Sequence, residues 1–207
     1  MILTVDTSTR AFSLSLFEQD ELAHIELQKE LSHSQQIVQV CDFLMKRLGR
    51  QVSSVQAAYA GLGPGSFTGV RIGLSFVNTL SQILEIPLLG ISSLDLLAFD
   101  GSTWYNSVVS FIRSRKGEVY TALYEHGVRR GDYLALGREE FREFLRSRAP
   151  EHVVAPKEDF NELGEGGLMP GVVHHAFPSS RSLYAVARNR GLAPRKTYLK
   201  PIYVREM

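Results

Sequence analysis

One cysteine, Cys41, stands among 207 residues, so no internal disulfide can form, which fits a reducing compartment. Cys41 itself reads as a small core or interface residue. Long apolar runs are missing too. None approaches the roughly 18 to 20 uninterrupted residues of a membrane span, and the opening MILTVDTS has neither a basic n-region nor a long apolar h-region. A cytoplasmic location is the expectation. The six histidines, His24, His33, His126, His152, His174 and His175, include no HxxxH or HExxH spacing, so neither a paired-imidazole metal site nor a zinc-peptidase signature is present. Internal sequence repeats and low-complexity tracts are absent as well. What remains is 44% hydrophobic and 22% charged, an ordinary globular composition for one large domain or two small lobes.

The net charge of +1 hides an asymmetry, because residues 1–100 carry 6 Lys/Arg against 10 Asp/Glu and residues 101–207 carry 17 against 12. From Arg181 to Arg205 there is no acidic residue among Arg181, Arg188, Arg190, Arg195, Lys196, Lys200 and Arg205. This stretch suits an acidic partner or RNA, and a solvated basic tail is the plainer alternative.

Periodicity divides the chain further. Met1 to Val5 is an apolar run ending in the turn Asp6-Thr7-Ser8-Thr9. AFSLSLFEQD then alternates, with Phe12, Leu14 and Leu16 on one side, as in a half-buried strand, and ELAHIEL continues the meander. A helix is predicted from a Ser32 cap to Gly49, with apolar residues at 37, 38, 41, 44, 45 and 48. VQAAYAGL reads as a buried strand, residues 70–85 as a second helix, LLGI as a strand and SSLDLLAF as a third helix. The first hundred residues thus run β-β-β-α-β-α-β-α. A break at residues 100–107 is the candidate boundary, giving lobes at 1–100 and 101–207. In the second half, VVSFIR and EVYTALYEHG read as paired strands, REEFREFLRSR as an amphipathic helix, HVVAP as a strand, residues 156–171 as loop, and SSRSLYAVARNRG as a helix entered at Ser179 or Ser180.

The densest feature is GLGPGSFTGVRIG, residues 61–73, with five glycines and a proline. A strand running into glycines and a helix is the layout of a phosphate cradle. Yet Gly69 is followed by Val70 rather than Lys-Ser/Thr, and Ser66 stands where a dinucleotide fingerprint needs glycine, so neither nucleotide motif is met. A structural reading has Gly63-Pro64-Gly65 as a tight turn, Thr68 as helix cap, and Gly69 and Gly73 admitting a close neighbour. Arg71 in a first helical turn would oppose the macrodipole and so look for a partner outside the helix.

GPGSFTGVRIG, together with ILTVDTSTRAFSLSLF, SHSQQIV, GEVYTALY and PIYVRE, resembles the TsaB (YeaZ) family, subunits of the bacterial machinery that makes N6-threonylcarbamoyladenosine (t6A) at position 37 of ANN-decoding tRNAs. The likeness is dense through residue 125 and thin afterwards. It implies the two-lobed fold of the acetate kinase, sugar kinase, Hsp70 and actin superfamily: an α/β, ribonuclease H-like architecture of mixed sheets flanked by helices, here with a reduced second lobe. It also implies that Asp6, Thr7, Ser8 and Thr9 form a vestigial phosphate loop. The second lobe departs from an ATP site, with FIRSRKGEVY (Arg113, Lys116) in place of an acidic loop and Pro156-Lys157-Glu158 in place of glycines. Ser93 and Leu97 stand where the catalytic paralogue TsaD carries its metal-binding histidine pair, so no metal is expected.

The family further implies a non-catalytic subunit that binds and activates TsaD together with TsaE. Alone it forms a homodimer; any ATP or ADP belongs at the joint interface with TsaD, and tRNA is met indirectly or through 181–205. Interface contacts are expected from Gly63, Pro64, Gly65, Ser66, Phe67, Thr68, Gly69 and Arg71, and from helix residues His33, Ile37, Cys41, Leu44, Gly73, Leu74 and Val77. Second stripes, Val38-Cys41-Met45 on the first helix and Ile72-Phe76-Ile83 on the second, make the apolar faces wider than one packed face requires, although they could instead pack internally. Other readings are a weak ATPase or kinase using Asp6, and a peptidase.

Overall fold

The computed structural model describes residues 1–27, 33–102, 105–114, 117–164 and 172–204. In the first unit, β1 (Ile2–Asp6), β2 (Phe12–Phe17) and β3 (Glu21–Leu27) form the expected antiparallel meander. Helix α1 (His33–Arg47) leads to β4 (Ala57–Gly61), which lies parallel to β1; helix α2 (Phe67–Leu84) leads to β5 (Leu88–Ile91), parallel to β4. The sheet order is β3-β2-β1-β4-β5. The proposed Ser32 cap lies outside the described residues, but the other end of α1 closes as expected. Gly49 takes φ of 64° and the Arg50 N–H reaches back to the Met45 carbonyl at 2.9 Å, satisfying a terminal acceptor.

The second unit repeats this plan. Helix α3 (Ser93–Ser102) is followed by β6 (Ser107–Arg113), β7 (Val119–Glu125) and β8 (Val128–Leu136), then α4 (Arg138–Arg148), β9 (His152–Ala155), α5 (Lys157–Gly164) and β10 (Val172–His175). Its sheet, β10-β9-β6-β7-β8, has the same order as the first when read from β8. Each unit has its own apolar core, one around Leu3, Leu14, Leu74 and Val77 and the other around Phe111, Phe141, Leu145 and Val153.

The division differs from the expected break near residue 100. The units are 1–92 with 178–202, and 93–177 with 203–207, because α3 packs on β6, β7 and β9 while α6 (Ser180–Asn189) packs on β1, β2 and β4. Residues 157–164 are helix rather than loop. Acidic Glu158 and Asp159 occupy the first turn of α5, where the macrodipole favours them, and Phe160 packs against the second core.

Strand β2 also differs from expectation, being buried on both faces. Helix α6 covers the serine face: the Ser180 N–H donates to Ser13 Oγ at 2.9 Å, the Ser15 and Ser180 hydroxyls bond at 2.7 Å, and Thr4 Oγ1 donates to the Ser180 carbonyl at 2.7 Å. Small hydroxylated residues let the helix backbone sit close and leave the buried polar groups paired.

Beyond α6 the chain is tied back to the same unit. Leu88 and Arg195 exchange two backbone hydrogen bonds of 2.8 Å, and the Ile202 N–H donates to the Leu62 carbonyl at 2.9 Å. Between them buried Asn78 on α2 clamps Leu199, donating to its carbonyl at 3.0 Å and accepting from its N–H at 2.9 Å. Asn78→Ala removes both bonds and strands two backbone groups, so it should cost about 2 kcal/mol. A lowered urea midpoint with faster tryptic cleavage at Arg195 and Lys196 is the expected result.

Candidate functional site

The turn after β1 and the glycine-rich entry to α2 form one structure. Asp6 is 1% exposed, and its Oδ1 accepts from the Ser8 N–H at 2.9 Å and the Ser8 hydroxyl at 2.8 Å. Its other oxygen, Oδ2, is buried with no hydrogen-bond partner among the described residues. Burial pushes the Asp6 carboxyl up to about 7, against the opposing pull of the two Ser8 bonds. Further along, Thr9 Oγ1 accepts from the Ala11 N–H at 3.2 Å.

This turn docks onto the glycines. The Ser66 N–H donates to the Ser8 carbonyl at 2.6 Å, and Thr7 Oγ1 donates to the Gly69 carbonyl at 2.8 Å. A Cβ on Gly65 or Gly69 would stand 2.1 Å from the carbonyl oxygen of Ser8 or Thr7, and one on Gly73 would stand 2.4 Å from Thr7 Oγ1. Glycine at 65, 69 and 73 therefore admits the chain's own β1–β2 turn. Gly63 adopts φ of 78° and precedes a cis peptide to Pro64; both residues are buried.

Ser66, rather than Thr68, caps α2 by accepting from the Gly69 N–H at 3.2 Å. The helix starts earlier than expected, which moves Arg71 into its second turn and relieves the conflict with the macrodipole. Arg71 instead stacks its guanidinium 3.9 Å above the Phe67 ring. Phe67, Thr68 and Arg71 are exposed.

The stripes of α1 and α2 are likewise largely taken up within the unit. Ile37, Cys41, Leu44, Leu74 and Val77 belong to the first unit's core, where burial also pushes the Cys41 thiol up to about 11. Of the second stripes, Met45 is buried and Ile72 and Phe76 pack against that core. His33 opens α1, and its side chain lies outside the described residues. The apolar surface that α1 and α2 leave open includes Val38 (59% exposed) and Ile83 (71%) of those second stripes, Phe67 (54%) of the motif, and Phe43 (53%).

Among its described residues the second unit shows no matching cradle. Arg113 closes β6 where Asp6 closes β1, and its backbone N–H donates to Asp159 Oδ2 on α5 at 3.0 Å. Pro156 leads directly into α5 without a glycine turn, while Lys116, Gly166 and Gly167 lie outside the described residues. Ser93 and Leu97 are buried on α3. Among the described residues no three His, Cys, Asp or Glu side chains gather as metal ligands, and no helix is long and apolar enough to cross a membrane.

The residues of the first turn do not fit a bound nucleotide phosphate. The Thr7 and Ser8 hydroxyls donate to internal acceptors, the Ser8 and Ser66 N–H groups are taken, and Thr7 and Ser8 are buried. A serine–histidine pair does occur, with Ser15 Oγ 2.8 Å from His24 Nδ1. Ser15 and its neighbour Ser180 are sealed at 0% exposure, so the pair fastens α6 and has no surface on which to meet a peptide. Burial, then the Arg181 charge, holds the His24 imidazole below its ordinary range.

Comparison with known proteins follows the same outline. A family model described as "TsaD: tRNA N6-adenosine threonylcarbamoyltransferase" matches residues 26–149. The tRNA threonylcarbamoyladenosine biosynthesis protein TsaB of Haemophilus influenzae is 32% identical over 166 residues, covering 78% of this chain and 67% of that protein. TsaB of Escherichia coli is 36% identical over 138 residues, 63% of this chain; the match spans 59% of that relative's length. Among solved structures, YeaZ from Pseudomonas aeruginosa superposes with a TM-score of 0.80 at 25% identity, covering 98% of this chain and 99% of that one.

Two measurements test the joined turns. Gly73→Ala should destabilise the chain by roughly 2 kcal/mol or more, and adding Thr7→Ala, which removes the clashing hydroxyl, should recover part of that loss. Additive losses in urea unfolding would place the two residues apart. For Asp6 the folded chain holds a proton to about pH 7, against an ordinary carboxyl value of 3.8. Its contribution therefore favours the fold below about pH 4 and is lost as pH rises toward 7, on the order of 4 kcal/mol in all. Asp6→Asn should gain on the wild type between about pH 4 and about pH 7; a constant difference in urea midpoint across that range would show that Asp6 ionises normally.

Proposed function

The chain belongs to the TsaB family, and from that premise we propose that it is a non-catalytic subunit required for t6A formation at position 37 of ANN-decoding tRNAs. It binds and activates TsaD, with TsaE completing the assembly, in the cytoplasm; alone it pairs with a second copy. The observation that carries this reading is the internal use of the phosphate-loop turn. Each hydroxyl of Thr7, Ser8 and Thr9 has a partner within the unit, and Arg113 stands where a second acidic loop would be needed. A chain so built does not cradle a phosphate by itself, and any ATP or ADP belongs to the surface it shares with TsaD.

Val38, Phe43, Phe67 and Ile83, with Arg71 over Phe67, supply an apolar and cationic surface on α1 and α2 for that partner. One observation favours a residual ATPase or kinase instead: the buried, unpartnered Oδ2 of Asp6.

Reconstitution with the cognate TsaD, TsaE and a threonylcarbamoyl-AMP source separates the two. Modification should require this protein, while the protein alone hydrolyses no ATP. Phe43→Glu with Ile83→Glu should weaken TsaD binding at least tenfold and lower modification in step, with Arg71→Ala giving a smaller loss. ATP turnover by the chain alone, abolished in Asp6→Ala, would replace the scaffold with an enzyme.

A further inference from the structure

The basic run after residue 180 separates into two groups. Arg181 is committed to Glu21 by two hydrogen bonds of 2.5 and 2.6 Å, and Arg188 donates to the Gln19 carbonyl at 3.2 Å. Those two hold α6 against the β2–β3 hairpin. Arg195, Lys196 and Lys200 are different: all three are exposed, and none has an ionic partner among the described residues.

They ride on backbone that is fixed rather than free. Hydrogen bonds to Leu88, Asn78 and Leu62 hold residues 195, 199 and 202, and the Leu199 side chain turns into the core. With the strap anchored there, Tyr198 stands out at 60% exposure between the lysines. A fixed row of cations interleaved with an open aromatic ring is the chemistry of a strip that follows a phosphodiester backbone and stacks an unpaired base. An acidic protein surface would satisfy the cations but gives no reason for an outward tyrosine ring.

We propose that the strap Arg195–Lys200 is an RNA-binding strip, with Arg195, Lys196 and Lys200 on phosphates and Tyr198 beneath an unstacked base. That this RNA is the tRNA being modified rests on the reading above; binding by the strip itself does not require TsaD or TsaE. Anchoring matters because a preformed strap loses less conformational entropy on binding than a loose tail would.

The test uses the full chain alone with an unmodified ANN-decoding tRNA transcript, by filter binding from about 50 to about 200 mM salt. Lys196→Glu with Lys200→Glu should raise Kd at least tenfold and flatten the salt dependence. Tyr198→Ala should raise Kd roughly fivefold or more, with Tyr198→Phe close to wild type. All these side chains are exposed, so unchanged urea midpoints are expected. No RNA binding by the wild type, or binding indifferent to the lysine pair, overturns the proposal. So does a variant pair that keeps RNA but loses a protein partner. Strip-dependent RNA binding in a chain that t6A formation does not require would instead defeat the functional reading and leave the strip standing.

Discussion

The first unit depends on the clasp between two turns that are distant in sequence. Asp6–Thr9 gives carbonyls and a hydroxyl to the start of α2, and α2 receives them only because residues 65, 69 and 73 have no side chain. This contact fixes where β1 ends, where α2 begins and how closely the helix lies on β1 and β4. The clasp also settles the chemistry of the turn. The Thr7 and Ser8 hydroxyls are turned inward, and the carboxyl of Asp6 is sealed in a setting that favours its protonated form. The turn serves here as a structural joint between β1 and α2.

The two units share strand order, and each is completed by a helix from beyond the strands of the other: α3 follows β5 yet packs on β6, and α6 follows β10 yet packs on β1. Neither sheet therefore has both of its faces covered by the residues that immediately surround it in sequence. For β2 the consequence is concrete. Its serine face is a polar surface in the sequence and a buried one in the fold, because Ser13 and Ser15 meet Ser180 from the other end of the chain.

The strands of the first unit were legible as alternating or short apolar runs, α1, α4 and the start of α6 by their apolar periods, and α3 by an apolar run entered at Ser92-Ser93. The duplicated plan was not, because the second copy lost the signals that mark the first. Strand β8 carries Arg129, Arg130, Gly131 and Asp132 at the edge of its sheet, so its alternation is hidden by charge that suits an edge. Helix α5 has only Phe160 and Leu163 as large apolar residues, too few for a period. Gly69 and Gly73 were recognised as points of close approach, but whether the neighbour is another subunit or the chain's own Thr7 is a long-range fact that spacing along α2 does not contain.

The same limit explains the interface stripes. A period of 3.6 tells which side chains share a face of a helix, not which of two faces is the buried one. Here α1 and α2 pack against each other and against the sheet, so the stripe through Ile37, Cys41 and Leu44 is consumed internally and the open residues are those the pattern ranked second or left out: Val38, Phe43 and Ile83. The clasp sharpens this sorting. By drawing the α2 start down onto Thr7 and Ser8, it buries Gly69, Val70 and Gly73 and turns Phe67 and Arg71 outward, where the ring and guanidinium stack on each other. The exposed residues of the motif are thus set in place by the buried ones, and the polar turn after β1 determines which side chains α2 leaves open.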